Sequence, residues 1–219
     1  MVLKKLNYKK YNKRLYYTLE ASEPFIYYLY QEVERRNLPT ELVLVPLIES
    51  AFSPFAHSFV GAAGLWQMMP GTASGFGVKI NWWYDGRRDI ITSTEAALDY
   101  LTYLYHFFHE DWMLAVAAYD SGEGRIQSAV RYNKKHHKPI DFWSLKLPRE
   151  TQEYVPRLLA IRAVIKHPDT YGIKLPRILS KPHFAVIDVK KQMELSHIAS
   201  LAKLTPETLR ALNPGYRRW

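Results

Sequence analysis

The sequence predicts a mainly α-helical protein, and three observations carry that prediction. Apolar residues recur every three or four positions in several long segments, as they do on the buried face of a helix. Gly and Pro residues separate these segments at intervals that suit short connections. No convincing strand pattern occurs before residue 180. We therefore expect a helical domain, with any strand confined to the C-terminal end.

The first helices begin and end at residues that favour those positions. Ser22 can cap a helix and Pro24 suits its first turn, while the apolar stripe that follows reaches Val33. The segment 37–39 interrupts this stripe. Residues 40–48 are apolar on nearly every side, which predicts a buried helix.

The middle of the chain alternates between loops and further helices. Residues 53–77 are rich in Gly, Ser, Ala and Pro and are expected to form loops with short helical turns. Gly122 and Gly124 are expected to interrupt the helical pattern. Helices are predicted over residues 93–108, 112–119, 126–131 and 150–166.

The composition changes near residue 180. Residues 180–182 form a predicted linker, and the apolar positions between Phe184 and Val189 are typical of a short strand. Two short helices are expected after it, over residues 195–201 and from Thr205 onward. A β-α-α unit of this size is a small module rather than a second enzyme domain.

Composition and charge exclude several classes of protein. The 219 residues contain no cysteine, so a disulfide scaffold, a thiolate zinc site and a cysteine nucleophile are all excluded. With 47% hydrophobic residues the chain is not disordered. No apolar run approaches the ~18 residues that a membrane helix needs. A net charge of +9 favours an anionic partner such as nucleic acid, phospholipid or an acidic polymer.

Glu49 is the most informative single residue. It is the only acidic residue between Glu41 and Asp85, and it ends the apolar helix. Burial and the negative end of the helix dipole both disfavour its charged form, so we expect a raised pKa. A carboxyl that stays protonated near neutral pH is what a general acid requires. The alternative is a helix-terminal Glu that points into solvent.

Four motifs occur in one order along the chain: ESAFSPFAHS at residues 49–58, GAAGLWQMMP at 61–70, AYDSGEGRI at 118–126 and ETQEYVP at 150–156. Together they resemble the soluble-lytic-transglycosylase-like domain of family 1 peptidoglycan lytic transglycosylases. The resemblance covers about residues 20–175 and is strongest to the membrane-bound type D branch. It implies a goose-type, lysozyme-like fold with a cleft between lobes.

The resemblance also implies roles for seven residues. Glu49 matches the single catalytic acid of the family, and Tyr154 matches a tyrosine that orients it. The positions that match substrate-binding residues are Ser58, Gln67, Met69, Tyr119 and Asp120. Trp66, Trp82, Trp83 and Tyr84 are further candidates for stacking on sugar faces.

The implied reaction needs only one acid. Most glycosidases use two carboxylates, but one acid suffices if the substrate supplies the nucleophile, which is what the resemblance implies here. Glu49 protonates the oxygen between N-acetylmuramic acid and N-acetylglucosamine, and then takes a proton from the muramic C6 hydroxyl, which closes a 1,6-anhydro ring. The alternatives are a lysozyme- or chitinase-like hydrolase on the same fold and a catalytically weak wall-binding protein.

The third motif departs from the family, which has Ala-Tyr-Asn where this chain has Asp120. Ionised Asp only accepts hydrogen bonds, whereas Asn also donates them. The favoured hypothesis is that Asp120 fills the Asn role, as an acceptor or as a protonated acid. The sharper hypothesis is that it activates water as a second carboxylate. Glu123 is expected to be structural, with an interaction with Arg125 or with the edge of the substrate as the alternative. Glu150 is expected to start a helix or to line the groove wall rather than to act as a second catalytic acid.

The remaining expectations concern organisation and location. We expect a basic arm over residues 1–19, the lytic transglycosylase domain over 20–175, a linker over 176–182 and a degenerate or truncated LysM-like segment over 183–219. Peptidoglycan is the expected partner and no nucleic acid, metal or cofactor is expected, although His106 and His109 lie on one helix face. The resemblance implies a periplasmic monomer, as a mature fragment whose lipid anchor would precede Met1.

Overall fold

The computed structural model describes residues 8–218, and the side chains from residue 12 onward. The predicted basic arm is thus described only from Tyr8, and its first seven residues lie outside the described part, as does Trp219. Within that part the chain is mainly α-helical, as predicted. The helices are α1 (Tyr8–Ala21), α2 (Glu23–Arg35), α3 (Val45–Ser50), α4 (Pro70–Gly75), α5 (Ile90–Phe107), α6 (Trp112–Ser121), α7 (Glu123–Lys135), α8 (Arg149–Lys166), α9 (Leu195–Leu201) and α10 (Pro206–Leu212).

The described residues divide into two compact units. The first unit contains the described residues of Met1–Ala96 and of Pro168–Trp219. The second unit is Ala97–His167. The domain limits expected from the sequence stay predictions. No helix among residues 8–218 is long and apolar enough to cross a membrane.

Helix α2 confirms the apolar stripe that the sequence predicts, because Phe25, Leu29 and Val33 are all buried on one face. The predicted cap is wrong in detail. Ser22 occupies the N-cap position, yet its hydroxyl donates to the carbonyl oxygen of Leu19 at 2.5 Å rather than accepting from α2. Its side chain therefore closes α1 instead of capping α2.

The buried helix predicted over residues 40–48 is two shorter elements. A 3₁₀ segment, Thr40–Leu44, comes first and α3 follows it. Pro46 explains the break, because it has no N–H to donate and is tolerated only in a first helical turn. The predicted burial is confirmed at Leu42, Leu44 and Val45. Ala51, with φ at 52°, ends α3 in a left-handed conformation.

The second unit is built around α6, which packs against α7 and α8. Five consecutive residues, Leu114–Ala118, are buried, so the helix lies in the core of this unit. Asp111 caps it and accepts from the backbone N–H groups of Met113 and Leu114. Gly122, with φ at 86°, separates α6 from α7. The predicted break at Gly124 is wrong, because Gly124 lies inside α7.

The C-terminal segment contains the two predicted helices, α9 and α10, but no strand in its described part. Phe184 to Val189 was expected to be a strand, and the structure places it in neither a helix nor a ladder. Val186 and Ile187 are 73% and 75% exposed. A strand needs a hydrogen-bonding neighbour, and this segment has no ladder partner there. A β-bridge joins Tyr216 of the C-terminal segment to Tyr84.

Candidate active site

Glu49 lies on the last turn of α3 and is half-buried. The next residue fixes this turn, because the Ser50 hydroxyl lies 2.8 Å from the carbonyl oxygen of Leu65 and 3.1 Å from that of Pro46. Leu65 belongs to the motif at residues 61–70, which we call the glycine-rich motif. The helix end that carries the candidate acid is thus attached to the loop that carries three of the other candidates.

Ser58 begins a tight turn in that loop. Its backbone N–H donates to the carbonyl oxygen of Ala62 at 2.9 Å, and its hydroxyl oxygen accepts from the Ala62 N–H at 3.0 Å. A serine hydroxyl accepts and donates at once. Ser58 is half-buried, and with its acceptor engaged by Ala62 it can offer its hydrogen to a ligand oxygen.

Gln67 holds an unusual backbone conformation, with φ at 47°. Its amide nitrogen donates to the carbonyl oxygens of Ala56 at 3.2 Å and Gly64 at 2.8 Å. These bonds use both amide hydrogens, so the side chain can present only its carbonyl oxygen to a ligand. Met69 follows at the N-cap of α4 and is 43% exposed, whereas Met68 is buried.

A buried ion network holds the same loop, and sequence reasoning missed it. The Arg87 guanidinium donates to the carbonyl oxygens of Gly61 at 2.6 Å and Met68 at 3.2 Å. It also donates twice to the Asp85 carboxylate, which is 1% exposed. Arg217 donates to the same carboxylate at 2.6 Å. Burial disfavours the Asp85 carboxylate, but the bonds from both arginines outweigh it and lower its pKa to about 2.

Gly64 shows why this loop requires a residue without a side chain. Its φ is +82°, and a Cβ atom there would lie 1.8 Å from the carbonyl oxygen of Arg87. The loop backbone therefore packs directly on the segment Asp85–Arg88. The sequence signal for this support is DGRRD at residues 85–89, where four of five residues are charged.

Three candidate residues belong to the second unit. Tyr119 and Asp120 lie near the end of α6 and are half-buried, while Tyr154 is buried on α8. The pKa of Asp120 is raised, mainly because its carboxyl is buried and also because Glu150 is nearby. A hydrogen bond with the Thr151 side chain and the charges of Arg157 and Arg125 lower it by less. Burial thus disfavours the ionised form of Asp120 relative to a free aspartate, and the protonated carboxyl can donate a hydrogen bond as Asn does.

The aromatic candidates separate by exposure. Trp66 is fully buried and its indole N–H donates to the Thr94 hydroxyl at 3.0 Å, so the expectation that it stacks on a sugar is wrong. Trp82 and Trp83 are 66% and 64% exposed. The Arg218 guanidinium lies 3.9 Å from the Trp82 ring centroid. Trp83 therefore remains available for stacking, and Trp82 remains available on the face opposite Arg218, whereas Tyr84 contacts the Tyr216 ring.

The basic and histidine-rich positions contribute no metal site in the part of the chain that the structure describes. No group of three His, Asp or Glu side chains there is arranged to hold a metal ion. His106 is exposed, and its ring contacts Tyr105. His109 has a positive φ of 54° in the turn that follows α5.

Two parts of the chain match families of known proteins. Residues 27–142 match the family of the Transglycosylase SLT domain, and residues 183–219 match the LysM-like domain of lytic transglycosylase MltD. The chain is 42% identical over 200 residues to membrane-bound lytic murein transglycosylase D of Escherichia coli K12, which covers 91% of this chain and 44% of that protein. The chain thus spans less than half of that relative.

Two further similarities extend the comparison. A protein of Alteromonas sp. (strain M-1) named for tributyltin chloride resistance is 44% identical over 168 residues, which is 77% of this chain and 79% of that protein. Among solved structures, the 70-kDa soluble lytic transglycosylase of Escherichia coli is similar with a TM-score of 0.53 and 27% identity. That similarity covers 64% of this chain and 24% of the solved one.

Proposed function

We propose, on the premise that the chain belongs to the transglycosylase SLT-domain family, that it cleaves peptidoglycan without using water. The bond is the β-1,4 link between N-acetylmuramic acid and N-acetylglucosamine, and the product carries a 1,6-anhydromuramic end. The observation that carries the proposal is the position of Glu49, a half-buried carboxyl on the last turn of α3, within the residues that match this family.

Glu49 acts first as an acid and then as a base in this proposal. Its carboxyl gives its proton to the glycosidic oxygen, and the bond from the muramic C1 atom to that oxygen breaks. The muramic C6 hydroxyl oxygen then bonds to C1, and its proton passes to the Glu49 carboxylate. The acid is thereby restored, and no water enters the balance. An internal nucleophile gains from its high effective concentration.

The first-unit loop supplies groups of opposite hydrogen-bonding character. Ser58 offers a hydroxyl hydrogen, which suits the acetamido oxygen of a sugar. Gln67 offers only a carbonyl oxygen, which suits an acetamido N–H or a hydroxyl. Met69 offers an exposed apolar surface. An N-acetylated sugar presents all three of the complementary groups.

The second-unit residues favour the single-acid mechanism over hydrolysis. Tyr119 and Asp120 are proposed to bind the substrate, with Asp120 in the role that Asn has in the family. A water-activating base has to be ionised, and burial of Asp120 raises its pKa and so makes its ionised form less stable. The role of Tyr154 in orienting the Glu49 carboxyl stays a prediction.

The partner and location follow from the substrate. Peptidoglycan carries lactyl and stem-peptide carboxylates, which attract a chain with a net charge of +9. We propose a periplasmic monomer that needs no cofactor and is anchored to the outer membrane. The relative named membrane-bound supports the attachment to a membrane.

Clearing of purified sacculi tests the activity. The wild type should lower the turbidity of the suspension, and Glu49→Gln should reduce the rate by at least about a hundredfold, because it removes the general acid. Glu207→Gln, an exposed position on α10, is the matched control and should keep the wild-type rate. An inactive wild type would favour a wall-binding protein, and an active Glu49→Gln would refute the assignment of the acid.

A further inference from the structure

A row of aromatic rings lies along one face of α5 in the second unit. Tyr100, Tyr103 and Phe107 are spaced three and four residues apart, so their side chains follow one another along the helix. The Tyr100 and Tyr103 rings are nearly parallel, with an interplanar angle of 16° and 6.4 Å between centroids. The Phe107 centroid lies 5.8 Å from that of Tyr103. Tyr103 is 41% exposed, so the row is open to solvent at its centre.

The row is continuous with a residue that the family resemblance assigns to substrate binding. The Tyr100 ring centroid lies 5.6 Å from that of Tyr119 on α6. Tyr100 is half-buried between these neighbours, and burial followed by the charge of Glu123 raises its pKa to about 12. Its phenol is therefore neutral over the working pH range.

A carboxylate stands beside the same rings. Glu123 is the first residue of α7, and the Tyr103 hydroxyl donates to its Oε1 atom at 3.4 Å. Glu123 is half-buried, and a negative charge is favoured at the start of a helix. An ionised carboxylate accepts several hydrogen bonds at once, so Glu123 can accept from sugar hydroxyls as well as from Tyr103.

We propose that Tyr100, Tyr103 and Glu123 form an accessory saccharide-binding position that adjoins Tyr119. A pyranose ring has an apolar face that stacks on an aromatic surface and equatorial hydroxyls that donate to a carboxylate. The negative charge of Glu123 repels the lactyl carboxylate of a muramic residue and tolerates N-acetylglucosamine. The position therefore takes N-acetylglucosamine. The identity of this sugar rests on the proposed function, since it assumes that the occupant is a peptidoglycan strand.

Kinetics on glycan strands of two lengths test this inference. The substrates are peptide-free strands of alternating N-acetylglucosamine and N-acetylmuramic acid, with about four or about twelve sugars. Tyr103→Ala removes roughly 40 Å² of apolar contact, which predicts about a fivefold rise in KM for the long strand. The value of kcat should stay unchanged, because the position lies outside the reacting bond. The short strand should show less than about a twofold change.

A matched variant separates this effect from a loss of stability. Tyr132 is also exposed, at 53%, and lies on α7 of the same unit. Tyr132→Ala should leave both KM values unchanged, and Tyr103→Phe should keep the wild-type KM because it keeps the ring. If Tyr103→Ala and Tyr132→Ala behave alike on the long strand, the saccharide position is refuted.

A binding measurement keeps the inference testable apart from the proposed reaction. Calorimetric titration of the long strand into Glu49→Gln should give about a fivefold tighter Kd than titration into Glu49→Gln with Tyr103→Ala. That difference would support the position even if the wild type cleaved nothing, in which case only the reaction would fail. Equal Kd values would refute the position even if the enzyme were active.

Discussion

Arg217 gives the sharpest test of how the C-terminal segment is attached to the first unit. It lies 132 positions along the chain from Asp85, yet its guanidinium donates to the Asp85 carboxylate at 2.6 Å. The backbone N–H of Arg217 also donates to the carbonyl oxygen of Trp83, and the Asp85 N–H donates to that of Gly215. Arg217→Ala removes only the side-chain bond and leaves these backbone bonds in place.

The expected loss lies well below that of a fully broken buried ion pair. Removing one partner of such a pair costs about 3–5 kcal/mol, because the other charge is left without compensation. Asp85 keeps both of its bonds from Arg87, so this penalty does not apply to Arg217→Ala. The Arg217 side chain is also 36% exposed, which screens the interaction. We therefore expect a loss of about 1–2 kcal/mol in the free energy of unfolding.

Urea unfolding at neutral pH measures this loss, with Arg218→Ala as the control. Arg218 lies over the exposed Trp82 ring, so its removal should cost less than about 1 kcal/mol. Arg87→Ala should cost about 3–5 kcal/mol, since it also removes the bonds to Gly61 and Met68. An Arg217→Ala loss equal to that of Arg218→Ala would refute the role of the network.

The pH dependence of the same difference is a second check. The pKa of Asp85 is lowered from 3.8 to about 2 in the folded protein. A carboxylate with a lowered folded pKa contributes its full stability above the unfolded value. The difference between the wild type and Arg217→Ala should therefore be complete above about pH 4 and shrink as the pH falls toward about 2. A difference that persists below that range would contradict the charge assignment.

Three further predictions concern the loop and the third motif. Gly64→Ala should lower the free energy of unfolding, measured by thermal unfolding, by more than about 3 kcal/mol, because its Cβ atom would overlap a backbone oxygen. Gly124→Ala, inside α7, should instead raise it by about 0.5–1 kcal/mol. Equal effects of the two substitutions would refute the argument. Ser50→Ala should lose about 1 kcal/mol in urea unfolding through its bond to Leu65, and an unchanged midpoint would contradict this. The melting temperature of Asp120→Asn should equal that of the wild type below pH 3.8, where the aspartate is protonated even in the unfolded chain. At neutral pH it should be higher than that of the wild type, because a raised folded pKa makes the ionised Asp destabilising. No gain at neutral pH would contradict the raised pKa.

Local patterns were sufficient to predict most of the helices. Helix α8 was expected over residues 150–166 and forms over Arg149–Lys166. Helix α5 begins at Ile90 rather than at Ser93, since Ser93 is buried inside the helix and not at its start. A sequence does not distinguish a polar residue at a helix end from a polar residue buried inside a helix. The start of α5 was therefore placed too late in the sequence.

Local motifs were enough to nominate the candidate site residues, whose roles stay predictions, but not to indicate the distant residues that support the loop. Each predicted site residue lies on the element that carries its motif. The Asp85 network depends on Arg217, far along the chain, and no local pattern indicates such a contact. Trp66 was misassigned for a related reason, because an aromatic residue in a glycine-rich loop fits a core and a sugar surface equally well.

The most direct test of the central claim is the mass of the products released from purified sacculi. Digestion in water labelled with heavy oxygen should yield muropeptides with 1,6-anhydromuramic ends and no incorporated label, because the C6 hydroxyl supplies the oxygen. The Glu49→Gln protein should release none of them. Products that are heavier by one water and carry the label would show hydrolysis, and would contradict the proposal that Glu49 acts alone.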